Sequence, residues 1–251
     1  MDHTHSQRLR WASRRAVTEE GVSRSQRLHM DEKTRRTAAS SKSRNLRPSG
    51  WLLVLAMIAC SILVTGQAAA KTASMNAGTC VDNTSVGSQT WSNPGNAAGA
   101  TGANGSATVS MPGFSSSQSH YLLCTGFGFT IPASSVINSI TVVFNGQSSS
   151  SSGSIYDGSV KIVQNGSVTG TDNARSSSTK WSTTASNVTY AGGTWGATWT
   201  AGGGASTDVN ATGFGVAISA KRDWQLDSSR TGSIESVTIT IDYTPRRQQA
   251  M

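Results

Sequence analysis

The side chains able to perform catalysis are few after residue 70, and they form no recognisable catalytic set. This part of the chain contains eight carboxylates and one histidine, His120. Acid–base and nucleophilic catalysis need titratable groups at defined positions, but no GxSxG, HExxH, P-loop or GxGxxG motif occurs. Asp223 and Asp227 lie in a polar stretch typical of a solvated loop. The sequence therefore predicts a protein that is not an enzyme; a hydrolase with an unrecognised site is the less favoured alternative.

The cysteines predict a disulfide bond. Cys60 lies in an apolar segment that an export signal would remove, which leaves Cys80 and Cys124 as an even pair in an exported segment. Such pairs are typically oxidised outside the cytoplasm. The alternative is two buried free thiols.

Metal and cofactor sites are not predicted. His120 is the only histidine after residue 70, so a His/Cys metal site lacks ligands. Calcium needs six to eight oxygen ligands, and the sequence does not assemble such a set. The aspartates that keep calcium open as an alternative lie beside Gly or Asn in expected loops: Asp157, Asp172 and Asp208.

Aromatic residues give the one ligand-binding hypothesis of the folded part. Trp195 and Trp199 are four residues apart, so their side chains share a face if the stretch is extended. With Tyr190 nearby, they are predicted to form a platform on which the apolar face of a sugar ring stacks. The alternative is that these tryptophans fill the core. A glycan or another surface partner is therefore the expected ligand.

The run Trp51–Val64 is the only long apolar stretch. It is preceded by Arg44 and Arg47 and followed by Ala68-Ala69-Ala70, which matches a signal peptide over residues 51–70, cleaved between Ala70 and Lys71. One alternative is an uncleaved signal anchor that contacts the membrane only through residues 51–66, with the following domain outside. Another is a lipoprotein signal that ends at Cys60.

Basic charge is confined to the leader. Residues 1–70 hold 12 Lys/Arg and 5 Asp/Glu, whereas the rest of the chain holds 9 and 8. Residues 1–50 also lack apolar periodicity and are expected to be a disordered signal flank. Because the folded part has no cationic excess, no nucleic-acid partner is predicted.

Short β-like segments follow residue 105 at intervals typical of a sandwich. Residues 71–105 are expected to be irregular, with one short strand around Gln89–Ser92. Asn145-Gly146 is expected to end a strand, and Asn165-Gly166 to form a type I′ hairpin turn. The segments are Ser106–Met111, Tyr121–Ile131, Val136–Phe144, Ser159–Gln164, Ser167–Thr171, Asn187–Tyr190, Trp195–Thr200, Gly213–Ala220 and Ser233–Tyr243. They predict an all-β, antiparallel, jelly-roll-like sandwich of about eight or nine strands over residues 71–245, with a tail at 246–251.

A weak internal similarity links two of these segments. Thr125–Ile131 (TGFGFTI) resembles Thr212–Ile218 (TGFGVAI). If the similarity is structural rather than due to chance, Phe127 and Phe214 occupy equivalent core positions in two facing sheets.

Four segments also resemble a loosely defined group of β-sandwich domains found in bacterial secreted and surface proteins and in phage structural proteins. They are Trp91–Pro94, Thr125–Pro132, Asp208–Asn210 and Ile239–Tyr243. The resemblance covers most of residues 88–243 and implies a jelly-roll-like sandwich used for display or adhesion. The group has no established catalytic residues to transfer to this chain.

These observations predict an exported, non-catalytic β-sandwich module for surface adhesion or ligand binding. The expected location is secreted or cell-surface, with the membrane-anchored form as the alternative. A structural subunit of a surface or virion assembly is the alternative function.

Overall fold

A computed structural model describes residues 68–150, 155–191, 193–224 and 228–246. The predicted leader (1–50), the apolar segment (51–66) and residues 247–251 of the predicted tail lie outside the described residues. Within the described ranges, no helix has the length and apolar character needed to cross a membrane. Signal cleavage and anchoring therefore stay predictions.

Within the part of the chain that the structure describes, two antiparallel sheets of six strands each form the domain, which confirms the predicted all-β sandwich. The twelve strands exceed the eight or nine expected, and one 3-10 turn, Pro94–Ala97, interrupts them. The strands are β1 (Lys71–Asn76), β2 (Thr79–Asn83), β3 (Trp91–Ser92), β4 (Ala107–Met111), β5 (Ser117–Gln118), β6 (Tyr121–Thr125), β7 (Val136–Ser148), β8 (Tyr156–Gln164), β9 (Ser167–Thr169), β10 (Ser186–Tyr190), β11 (Gly215–Arg222) and β12 (Arg230–Thr244).

Eight of the strands have the jelly-roll arrangement. The first sheet has the order β10-β7-β12-β4-β3, and the second has the order β2-β6-β11-β8-β9. These eight are β4 and β6 to β12; along them the chain passes from one sheet to the other at every step except the β8–β9 hairpin, as in a jelly roll. The four additional strands are short and come from the first part of the domain sequence. They lie beside longer strands: β1 beside β12, β2 beside β6, β3 beside β4, and β5 beside β11.

The two longest strands, β7 and β12, pair along nearly their whole lengths. Buried residues alternate along β7, as expected for a strand with one face in the core. Asn145-Gly146 does not end this strand, so that prediction is wrong. Gly146 pairs with both Ser186 and Ile234, and a Cβ there would lie 2.8 Å from the ring of Phe144. The glycine thus makes room for an aromatic ring inside a central strand.

Three phenylalanines pack together near the ends of β6 and β11. The ring centroids of Phe127 and Phe214 are 6.3 Å apart, and Phe129 contacts both. The predicted placement of Phe127 and Phe214 in facing sheets is wrong, because Thr125 pairs with Gly215 within one sheet. Strand β6 ends at Thr125, so the strand predicted to continue to Ile131 is shorter than expected.

The predicted disulfide between Cys80 and Cys124 is present. The two residues are directly opposed in the β2–β6 pair, with their Cα atoms 4.1 Å apart, and both are buried. Their bond joins β2, an edge strand that was not predicted from the sequence, to β6, which is one of the eight jelly-roll strands.

The sandwich has two ends that carry different loops. At the proximal end, Lys71 pairs with Tyr243 and Val136 with Thr244. At the distal end, Met111 pairs with Arg230. Because β12 has 15 residues and a strand rises about 3.3 Å per residue, the two ends are separated by roughly 45 Å.

Candidate functional site

Tyr190, one of the predicted stacking residues, lies inside the sandwich. It is 5% exposed, and its ring packs against Phe144 with centroids 5.8 Å apart. Its hydroxyl donates a hydrogen bond of 2.7 Å to Asp157. Burial, together with the charge of Asp157, raises the pKa of this hydroxyl far above its ordinary value. Tyr190 therefore has no ring face available to a sugar.

Asp157 is the centre of a buried polar cluster that also contains Arg175, Trp181 and Tyr190. Its carboxylate accepts from the Arg175 backbone at 3.0 Å, from the guanidinium at 2.8 and 3.1 Å, and from the Trp181 indole at 2.8 Å. Burial alone would raise the pKa of Asp157, but these hydrogen bonds outweigh it and hold the pKa below its ordinary value. Donors from Arg175, Trp181 and Tyr190 thus satisfy this buried carboxylate within the sandwich.

The predicted tryptophan platform is also absent. Trp195 has φ 56° in a turn rather than in a strand, is 3% exposed, and donates its indole N–H to the Ile140 carbonyl at 2.9 Å. Trp199 is 9% exposed, donates to the Thr194 carbonyl, and packs edge-on against Phe214 with centroids 5.2 Å apart. We therefore correct the predicted exposed platform: the turn at Trp195 prevents the extended geometry it required.

His120 and Asp82 form a partly buried pair, with His120 Nδ1 at 2.8 Å from an Asp82 oxygen. The other Asp82 oxygen accepts the Trp91 backbone N–H at 2.8 Å, and the Trp91 indole donates to the His120 carbonyl. The nearby Ser119 hydroxyl donates to the His120 carbonyl and accepts from the Ala220 N–H. The pair thus fixes local structure, and its neighbouring serine is held by backbone groups. Among the described residues, no three His, Cys, Asp or Glu side chains are grouped to hold a metal ion.

Two aromatic side chains at the distal end are exposed. Phe114, between β4 and β5, is 65% exposed, and Trp224, just after β11, is 52% exposed. Phe114 has φ 59°, an uncommon conformation for a bulky residue. The backbone N–H of Trp224 donates a hydrogen bond of 3.1 Å to the Ser116 hydroxyl, which joins the two loops. The exposed rings therefore lie on neighbouring, connected loops.

A buried arginine is hydrogen-bonded to carbonyl groups of both loops. Arg222 is fully buried, and its Nη1 lies 3.0 Å from the Met111 carbonyl, 3.2 Å from the Pro112 carbonyl and 3.0 Å from the Ser228 carbonyl. A single guanidinium thus connects the end of β4 to the segment that precedes β12. This arrangement pre-organises the loops that carry Phe114 and Trp224.

Asp223, which precedes Trp224 in the chain, is linked to further polar groups. The Tyr156 hydroxyl donates a 2.5 Å hydrogen bond to Asp223, and the Lys180 ammonium lies 4.1 Å from the centre of the Tyr156 ring. Burial, followed by the hydrogen bond and charge of Asp223, raises the pKa of Tyr156 well above its ordinary value. We call the following set the distal aromatic site: Phe114, Ser116, Tyr156, Lys180, Asp223 and Trp224.

This site was not predicted from the sequence, although a local signal exists. Phe114 stands alone in a Pro-Gly-Phe-Ser-Ser-Ser stretch, and Trp224 stands between Asp223 and Gln225. Immediate neighbours that are polar or small, such as Gly113 and Ser115 around Phe114 and Asp223 and Gln225 around Trp224, are typical of a loop rather than of a buried strand. Comparison with family models, curated proteins and solved structures found no match for the chain. The resemblance to bacterial and phage β-sandwich domains therefore stays a prediction.

Proposed function

We propose that the protein is an exported, non-catalytic jelly-roll module that binds carbohydrate on a surface through the distal aromatic site. The observation that carries this proposal is the exposure of Phe114 and Trp224 on joined loops at one end of the domain. Exposed apolar groups rimmed by polar residues mark interaction sites.

The chemistry of the site suits a sugar. The C–H face of a pyranose ring stacks on an aromatic ring, which supplies apolar contact without requiring a deep pocket. Ser116 and Asp223 supply oxygen acceptors, and Lys180 supplies a donor, within the same loop cluster. Because Arg222 already holds the loops in place, binding loses little loop entropy.

Export and orientation support an adhesive role. The Cys80–Cys124 disulfide fits an oxidising compartment, in agreement with the predicted signal at residues 51–70. The chain enters the sandwich at Lys71, at the proximal end, whereas the aromatic residues lie at the distal end. In the alternative of an uncleaved signal anchor, attachment through residues before Lys71 would leave the distal aromatic site accessible.

The test is a screen of the exported protein on a polysaccharide array, followed by variants. Phe114→Ala and Trp224→Ala should each weaken binding about tenfold, which corresponds to roughly 1.4 kcal/mol, with little change in Tm. The matched control is Val81→Ala, which shortens an exposed apolar side chain on β2, outside the distal aromatic site. If the wild type retains no polysaccharide, or the control loses binding equally, the proposal fails.

The alternative function, a structural subunit of a surface or virion assembly, is favoured by a different observation. Met75 on β1 and Val81 on β2 are exposed, and both strands lie at sheet margins where another chain can add. Analytical ultracentrifugation tests it: concentration-dependent assembly that is lost in Met75→Ser or Val81→Ser supports the subunit, whereas a monomer at all concentrations contradicts it.

A further inference from the structure

A cleft of about 530 Å³ lies at the proximal end, on the opposite side of the domain from the distal aromatic site. One wall is the segment 133–137, the other is the segment 199–203, and Arg246 also lines the cleft. The volume falls within the range of small-molecule sites, about 300 to 1,000 Å³.

The wall formed by residues 199–203 is held by one buried carboxylate. Asp208 accepts the backbone N–H groups of Gly202 and Gly204, each at 3.0 Å, and that of Asn210 at 2.9 Å. These bonds fix a loop in which Gly202, Gly203 and Gly204 all have positive φ. The resemblance to bacterial β-sandwich domains included Asp208 and Asn210, and here they organise the wall of a cleft.

The two walls are also tied to each other. The Ser134 N–H donates to the Ala201 carbonyl at 2.9 Å. The Asn210 amide makes two hydrogen bonds with Ile131, accepting from its N–H at 2.9 Å and donating to its carbonyl at 2.8 Å. A Cβ on Gly202 would lie 2.9 Å from the Cβ of Ala133, so the contact between the walls is close. The cleft is therefore preformed and does not require loop closure.

The lining combines three kinds of chemistry. Val136, which is 48% exposed, and the edge of Trp199 supply apolar surface. Ser134 supplies a hydroxyl that makes no hydrogen bond within the described part of the chain, and Arg246 is the only charged side chain of the lining. No carboxylate of the lining opposes this guanidinium, so the cleft favours an anion.

We propose that this cleft binds a carboxylated sugar, such as a uronic acid residue. A guanidinium binds a carboxylate through two parallel hydrogen bonds, and Arg246 is placed to do so at the cleft border. The ring of the sugar then lies on Val136 and Trp199, with a ring hydroxyl on Ser134. This proposal does not depend on the distal aromatic site, which shares no residue with the cleft.

The test uses three probes that separate charge from ring: D-glucuronate, D-glucose and acetate. In NMR titrations of the ¹⁵N-labelled exported protein, glucuronate should shift the Ser134, Gly202 and Gly203 amides with a Kd of about 1 mM. Glucose, which lacks the carboxylate, and acetate, which lacks the ring, should each bind at least about tenfold more weakly, because each forfeits one of the two contributions.

Two variants complete the experiment. Arg246→Gln should reduce glucuronate affinity at least about tenfold, since the charged hydrogen bonds are lost. Lys161→Gln, which removes a positive charge on β8, should leave the affinity unchanged and controls for net charge. The proposal is overturned if glucuronate moves none of these amides, if glucose or acetate binds as tightly, or if Arg246→Gln binds like the wild type.

Discussion

The hydroxyl of Tyr190 donates a hydrogen bond of 2.7 Å to the carboxylate of Asp157, inside the sandwich. Arg175 and Trp181 donate to the same carboxylate. A buried anion is stable only when donors replace the water it has lost. The tyrosine that the sequence suggested as a ligand platform therefore serves as one of these donors.

Removing this carboxylate should be costly. Asp157→Ala leaves the Trp181 and Tyr190 donors buried without their acceptor, and we expect the free energy of unfolding to fall by about 3–5 kcal/mol. Urea denaturation measures it. Asp242→Asn, which alters a carboxylate whose hydrogen bond to Asn138 is long, at 3.4 Å, serves as the control and should change stability by less than about 0.5 kcal/mol.

The same carboxylate should make stability depend on pH in the acid range. Its pKa in the folded protein is lowered, so the unfolded chain binds the proton more readily. The contribution is fully present above the ordinary carboxyl pKa of about 3.9, and it is lost as the pH falls through the lowered value. The free energy of unfolding of the wild type should therefore fall more between pH 5 and pH 2, an interval of about three pH units, than that of Asp157→Asn. Equal decreases in the two proteins would contradict this prediction.

The five tryptophans after residue 70 should divide into core and surface classes. Trp195→Ala and Trp199→Ala remove buried indoles, so each should destabilise by about 3–5 kcal/mol. Trp224→Ala removes an exposed indole and should change stability by less than about 1 kcal/mol. Thermal unfolding followed by circular dichroism compares the three. A Trp199→Ala protein as stable as Trp224→Ala would be inconsistent with the packing of Trp199 on Phe214.

The disulfide should stabilise the protein measurably. Cys80 and Cys124 are separated by 44 residues, and closing such a loop lowers the entropy of the unfolded chain by an amount worth about 4 kcal/mol. The double variant Cys80→Ala/Cys124→Ala should lose most of this amount in denaturant titrations. Intact mass of the wild type should be two hydrogens (about 2 Da) below the reduced value, and labelling of free thiols before reduction would refute the bond.

The Asn165-Gly166 turn permits a matched glycine comparison. Asn165 has φ 47° and Gly166 has φ 80°, as a type I′ turn requires, and a Cβ at Gly166 would meet no atom within 4 Å. Gly166→Ala should therefore cost about 1 kcal/mol through backbone strain alone. Gly95→Ala, also without a contact but without positive φ, should be neutral or slightly stabilising. Equal effects in the two variants would argue against the strain.

The sequence predicted the sandwich because its principal strands carry period-two alternation, as β12 shows from Val237 to Ile241. It missed β1 and β2 because their stability comes from pairing with β12 and β6 rather than from an apolar face of their own. β1 is almost entirely exposed, so its composition resembles that of a loop.

The candidate site was harder to predict, because exposure depends on tertiary structure. Trp195 follows Thr194 and Trp224 follows Asp223, and no immediate neighbour of either is a large apolar residue, yet one indole is bonded to Ile140 in the core and the other is in solvent. Only the positive φ of Trp195 and the arrangement of the loops separate them. The pairing of Cys80 with Cys124 was predictable, since no other partner was left.

Lys71 and Tyr243 are paired neighbours, so the strand that begins the domain and the strand that completes it lie side by side at the proximal end. Copies attached to one support through either strand would all present Phe114 and Trp224 in the same outward direction. Individually weak contacts would then act together, and the resulting avidity can exceed the affinity of one site by a factor of about 10² to 10⁴. A dense array of such copies would hold a repetitive polymer firmly while each single contact still exchanged rapidly.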